Sequence, residues 1–164
     1  MSSKHDFHKV IIGRSEVLTF VGTEAINVPA KTDTGAYRSA VHAQNITTTS
    51  DGSLEFDLLG GHTVCGAMSQ RVIASEYNKV WISNSFGNRE ERYEVKLKVK
   101  LGPKVFYAQF TLADRSKKIY PILLGRKLLN HRFLVDSSET SLDRVILKQQ
   151  YGIEFPNDEE EGRE

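Results

Sequence analysis

Between Tyr93 and Lys100 the sequence alternates without a break: Tyr93, Val95, Leu97 and Val99 fall on one side, Glu94, Lys96, Lys98 and Lys100 on the other. A period of two defines a half-buried strand, which a helix cannot satisfy. Gly102-Pro103 turns the chain into residues 105–112, so the two segments are expected to form a hairpin. The same style recurs elsewhere. Val10-Ile11-Ile12 ends at Gly13, residues 17–21 end at Gly22, residues 25–28 run up to Pro29, and residues 40–49 form a longer extended stretch closed by Asp51-Gly52. Short β-branched and aromatic segments at this spacing predict an all-β barrel or sandwich. One short helix is expected at residues 125–130, after the apolar Ile122-Leu123-Leu124 and ending at Asn130.

With 164 residues, 39% of them hydrophobic and 26% charged, the chain suits one globular domain. We place it at residues 9–155, between a flexible N-terminus at 1–8 and a disordered acidic tail at 156–164. No apolar run reaches the roughly 20 residues of a membrane helix. Met1 to Asp6 precede no apolar stretch, so the reading is not secretory. Cys65 is the only cysteine, which excludes an internal disulfide and fits a cytoplasmic location. The net charge of +1 conceals an asymmetry, because residues 157–164 hold five acids and one base. The rest of the chain carries 21 bases against 16 acids. Those bases are dispersed, which suits an acidic partner better than nucleic acid.

Within Ala30-Lys31-Thr32-Asp33-Thr34-Gly35-Ala36 a strand delivers a carboxylate to a tight turn. Gly35 permits close backbone approach, and Thr34 offers a hydroxyl that can lock one loop against a symmetry mate. This is the order that an aspartic peptidase loop needs. That chemistry uses two carboxylates about 3 Å apart sharing one proton. The ionised one takes a proton from water, and the protonated one polarises the scissile carbonyl. No second Asp-Thr-Gly or Asp-Ser-Gly occurs in the sequence. The second carboxylate must therefore come from another chain across a two-fold axis.

About 90 residues after the triplet stands Ile122-Leu123-Leu124-Gly125-Arg126. The pair of elements resembles the retropepsin family, whose apolar strand threads beside the active-site loop and whose Gly-Arg opens a helix. A bacterial and archaeal group of retropepsin-like proteins, bearing the label ATP-dependent zinc protease, is similar in three blocks. These are residues 28–36 with Ser39, His42 and Ala43; Ser85-Phe86-Gly87 with Arg92; and residues 112–116 through 120–126 to Phe133-Leu134-Val135-Asp136. Residues 11–16 also resemble that group's opening strand. The resemblance implies a closed β-barrel, a dimer with flaps, and catalytic residues Asp33, Thr34 and Gly35. Ala36, Arg38, Phe86, Gly87 and Arg126 are the expected substrate-binding residues. Viral retropepsins carry acidic residues where this chain has Tyr37 and Arg38, so Arg126 loses an expected partner and the cleft should be more basic. The flap tip is expected at residues 84–88, the alternative being Leu59-Gly60-Gly61-His62.

The zinc and ATP of that label find no counterpart in the residues. There is no His-Glu-x-x-His and no phosphate-cradling glycine loop, so neither metal nor cofactor is expected. His42 reads as a hydrogen-bonded structural histidine, and Cys65 as a structural thiol in an apolar-flanked strand. The resemblance points to a link with glutamate-ligating ATP-grasp enzymes. It also points to glutamate-rich peptides or tails as substrate, which Arg38, Arg92, Arg115 and Arg126 would suit. The competing function is a non-catalytic peptide-binding or assembly domain on the same barrel. Ala36 generates a prediction. A hydroxyl there would donate to the carboxylates and favour their ionised form, so Ala36→Ser should move the acidic limb of the pH–rate profile to lower pH; a limb that stays put or rises contradicts the reading.

Overall fold

The computed structural model describes residues 8–83 and 86–153. The acidic tail at 156–164, all but His8 of the expected flexible N-terminus, and Asn84 and Ser85 of the expected flap lie outside the described residues. The strands are β1 (Val10–Ile12), β2 (Ser15–Phe20), β3 (Val28–Thr32), β4 (Ser39–Thr48), β5 (Leu54–Leu58), β6 (Gln70–Ala74), β7 (Tyr77–Ser83), β8 (Arg89–Leu101), β9 (Lys104–Ala113), β10 (Ile122–Leu124) and β11 (Phe133–Val135). The helices are α1 (Arg126–Leu129) and α2 (Arg144–Tyr151).

Six strands close on themselves in the order β10, β3, β2, β8, β9, β4, because β10 pairs with both β3 and β4. The fold is therefore all-β, a closed barrel with a short helix after β10, in agreement with the sequence. Its interior takes the inward residue of each pleat, including Leu18, Phe20, Val99, Phe110, Ile122 and Leu124. Phe20 and Phe110 meet edge to face at 5.6 Å, the geometry aromatic rings prefer. Strands β5 and β6 extend the sheet from the far half of β4, and β7 pairs with the first half of β8. A separate parallel pair joins β1 to β11. Among the described residues no helix is long and apolar enough to cross a membrane.

The hairpin from alternation is β8–β9, with Leu101 opposite Lys104. Three local expectations are corrected. The segment at 25–28 is not a strand up to Pro29; Asn27 takes φ 53°, and the strand starts at Val28 and runs through Pro29 to Thr32. A second helix, α2, follows the one the sequence predicted. Asp143 caps it by accepting from the Val145 N–H at 2.7 Å, and Gly152 ends it at φ 62°. It buries Leu147 against Val64, Ile119, Tyr120 and Ile153. Cys65 lies in a turn between β5 and β6, not in a strand, although it is buried as expected.

Gly125 joins β10 to α1 where the backbone of Tyr37 and Arg38 crosses. A Cβ at Gly125 would lie 2.5 Å from the Arg38 carbonyl oxygen and 2.9 Å from that of Tyr37. Gly125→Ala must push this crossing apart and should lower stability by about 1–3 kcal/mol in urea titration; an unchanged midpoint would show that the crossing yields freely.

Candidate active site

Asp33 directly follows β3, the strand that β10 flanks. The Asp33 N–H donates to the Leu124 carbonyl at 2.9 Å, tying the start of the loop to β10. One residue earlier, the Thr32 hydroxyl reaches the carbonyls of Gly13 and Arg14, 2.9 Å each, and its N–H donates to Arg14. Within the loop, the Gly35 N–H donates to Asp33 Oδ1 at 3.0 Å and the Ala36 N–H to the Asp33 carbonyl at 3.2 Å. A Cβ at Gly35 would come within 3.3 Å of that same carboxylate oxygen, a tight contact that would make the carboxylate shift by a few tenths of an ångström. The carboxylate is thus oriented by its own turn while its other oxygen stays available.

The far side of the loop is held by α1. The Arg126 N–H donates to Ala36 at 2.8 Å, the Lys127 N–H to Tyr37 at 2.9 Å, and the Gly125 N–H to the Ser39 hydroxyl at 3.0 Å. Arg126 is not left unpartnered by the loss of an acidic neighbour. Its guanidinium donates to the Thr34 carbonyl at 3.0 Å and lies 5.8 Å from the Tyr37 ring centroid. It therefore braces the loop from behind. Thr34 and Gly35 are exposed.

A cleft of about 450 Å³ begins at Gly35 and Ala36, two residues past Asp33, which does not itself line it. Ala40, Thr111 and Leu123 also line it, and Trp81, Ile82 and Ser83 of the β7–β8 hairpin form a wall. Arg38, Arg92 and Arg115 face it, and no carboxylate lines it. Arg38 is partly committed: its Nη1 meets Oε2 of Glu94 at 2.7 Å, and Lys127 lies 3.7 Å from the other oxygen. Arg92 pairs through Nη2 with exposed Glu90 at 3.1 Å, while its Nε is buried without a hydrogen-bond partner.

The two segments expected for the flap differ in exposure. Phe86 is 86% exposed and Gly87 takes φ 80°, at the end of the hairpin that walls the cleft. Leu59, Gly60 and His62 are buried, while Gly61 is exposed beside the Gln44 side chain. Phe86 and Gly87 do not line the cleft in this conformation, whereas Ala36 and Arg38 do. Glu94 and Trp81 were not singled out from sequence. Glu94 stood in a row with three lysines and read as wet; Arg38 and Lys127 cover it, leaving it 3% exposed.

His42 and His62 form a buried pair, ring centroids 5.2 Å apart. His42 Nε2 bonds to the Gly60 carbonyl at 2.8 Å, and its Nδ1 accepts from the Arg115 N–H at 2.9 Å. His62 Nε2 bonds to Lys118 at 2.9 Å and its Nδ1 accepts from Val64 at 3.1 Å. Both rings are therefore neutral, each donating from one nitrogen and accepting at the other. Burial above all pushes His62 down to about 4, with neighbouring His42 adding to the effect, and burial also lowers His42. Burial pushes the Cys65 thiol up to about 12. Among the described residues no cluster of three or more His, Cys, Asp or Glu is placed to hold a metal ion.

A closed six-stranded barrel with one Asp-Thr-Gly loop braced by an inserted strand and a Gly-Arg helix defines the retropepsin-like class. The chain belongs to the RimB-like family, retropepsin-like aspartic endopeptidase RimB, whose model matches residues 11–144. A protein from Desulfotalea psychrophila named "Probable alpha-L-glutamate ligase" is 28% identical over 94% of this chain and 34% of its own length. Another of the same name from Shewanella halifaxensis is 30% identical over 89% of this chain and 33% of its own. The chain thus spans about a third of the length of the curated relatives it matches. The crystal structure of Lpg0085 from Legionella pneumophila, a protein of unknown function (DUF785), is 29% identical, covers 81% of this chain and 97% of the other, and has a TM-score of 0.65.

The histidine pair sets a pH dependence. The folded His62 resists protonation down to about 4, whereas the unfolded ring takes its proton near 6.5. Between these values the unfolded state holds more protons, so stability is present above about pH 6.5 and is lost as pH falls toward 4. The slope contributed is at most roughly 1.4 kcal/mol per pH unit. Urea midpoints at pH 7, 6, 5 and 4.5 should decline in the wild type and decline less in His62→Gln; equal slopes would rule His62 out as the cause.

Proposed function

We propose that this chain is an aspartic endopeptidase that works as a homodimer, each protomer giving one Asp33 to a shared dyad. The observation that carries it is the bracing of Asp33. Its N–H is held by β10, its Oδ1 by Gly35, and its loop by Arg126 through Thr34. Such fixed orientation is what a group must have to act on water, since misplacement of even 1 Å is costly in rate. One chain supplies one carboxylate, and exposed Thr34 and Gly35 offer a surface for the mate. In the dimer the ionised Asp33 takes a proton from water as its oxygen attacks the peptide carbonyl. The protonated Asp33 donates to that carbonyl oxygen. Collapse of the tetrahedral intermediate breaks the C–N bond, and a proton from the dyad goes to the departing amine. The hairpin carrying Phe86 and Gly87 closes over bound substrate, and Ala36 and Arg38 line its path.

The substrate class we infer is acidic peptide, glutamate-rich in particular. Three arginines and no carboxylate line the cleft. Relatives named for glutamate ligation that carry a segment like this chain support a functional link to a glutamate-ligating enzyme. Cleavage assays on acidic and neutral peptides test the whole reading. Asp33→Asn should lose turnover by about 10³-fold or more, and wild-type specific activity should fall on dilution. Arg92→Gln should weaken kcat/KM for acidic peptides about tenfold and spare neutral ones. Turnover surviving in Asp33→Asn, or activity independent of concentration, would overturn the assignment.

A further inference from the structure

Away from the cleft, half of β9 has a bare edge. Strand β4 pairs with β9 only from Phe110 onward, and no described strand covers residues 104–109. The two-residue turn at Gly102-Pro103 makes Leu101 and Lys104 a bonded pair. In an antiparallel ladder the bonding direction alternates, so Lys104, Phe106 and Ala108 face β8 while Val105, Tyr107 and Gln109 turn their N–H and C=O outward. The same alternating set, continued at Thr111 and Ala113, faces β4. An extended partner laid here would meet a ladder about 20 Å long.

Edge strands often carry lysines simply to discourage self-pairing. Two further features separate this edge from that case. Two depressions, about 380 and 270 Å³, run between it and the α1–β11 connection and share Arg132. Val105 and Tyr107 are 53% and 59% exposed beside them. No carboxylate lines either depression, while Lys96, Lys104, Arg132 and Lys127 do, the last also bonded to the Gln109 side chain and 3.7 Å from Glu94. Lys98 and Lys100 stand directly across the ladder from Tyr107 and Val105. Lys98 lies 5.9 Å from the Tyr107 ring centroid, and Arg132 is fixed by stacking 4.4 Å over Phe106.

We propose that this edge is a docking site for an extended acidic peptide, which adds to β9 as a further strand and sets its carboxylates among the lysines. Main-chain bonds to Val105, Tyr107 and Gln109 give the affinity, and the lysine row gives the preference for acidic side chains. The site is separate from the cleft and does not depend on peptide cleavage. The test uses full-length Asp33→Asn protein, which removes turnover, and a ten-residue peptide of alternating glutamate and valine, with glutamine replacing glutamate in the control. Hydrogen exchange at the Val105, Tyr107 and Gln109 amides should slow about tenfold or more with the acidic peptide only. The double variant Lys98→Glu/Lys104→Glu should weaken its Kd about tenfold. Tyr107→Pro should abolish protection while circular dichroism and the thermal midpoint report an intact fold. Protection confined to the Asp33 loop and the β7–β8 hairpin would overturn the proposal, as would equal affinity for the glutamine peptide. So would stronger protection by a single-stranded oligonucleotide, or edge protection in the free protein that grows with concentration and marks a second copy as occupant.

Discussion

Three residues hold the molecule's architecture together. Strand β10 slides between β3 and β4, parallel to one and antiparallel to the other, and without it the six-stranded ring is open. Its backbone is satisfied on both edges, and Ile122 and Leu124 are buried without remaining exposure. The same strand ends at the carbonyl that receives the Asp33 N–H. Barrel closure and placement of the carboxylate are thus one event. A chain in which β10 had not docked would lack both the wall behind Asp33 and the helix that holds Tyr37.

Around that strand the site is assembled by crossing backbones more than by side-chain contacts. Gly125 lets the Tyr37–Arg38 peptide pass at close range, and α1 uses its first amides to cap the loop carbonyls of Ala36 and Tyr37. Glu94 completes the arrangement from the hairpin side, reaching Arg38 and Lys127 together. Removing either cation would leave a buried carboxylate short of a partner, a loss that commonly costs several kcal/mol. The carboxylate thereby ties the strand that forms the cleft wall to the loop on the cleft floor.

The sequence made some of this legible, for identifiable reasons. Alternation from Tyr93 to Lys100 survives because one face of β8 is wet over most of its length, and the Asp33 and Gly125-Arg126 elements are local motifs with steric demands. What it hid depends on distant partners. Glu94 looked solvated because its two cations arrive from elsewhere in the chain. Cys65 read as strand because apolar neighbours mark burial, not conformation. Helix α2 carried legible caps in Asp143 and Gly152, but reading for a period of two passed over them. Asn27 adopts a left-handed turn, which composition alone does not announce. The two flap candidates differ in burial: Gly60 is buried against His42, whereas Phe86 is exposed.

Strand β8 runs for 13 residues from the hairpin that walls the cleft, past Glu94, to the lysine row at its other end. Since side chains alternate, a slip of one residue would exchange Glu94 for an apolar neighbour and drive a lysine into the barrel. The one carboxylate that must meet Arg38 and Lys127 therefore fixes the phase of everything the strand carries. Insertions and deletions should respect that phase: the hairpin can lengthen at its tip around Gly87, but its stem can change only by residues added in pairs on both strands. Variation in reach over the cleft is open to this barrel, and variation in the pitch of its wall is not.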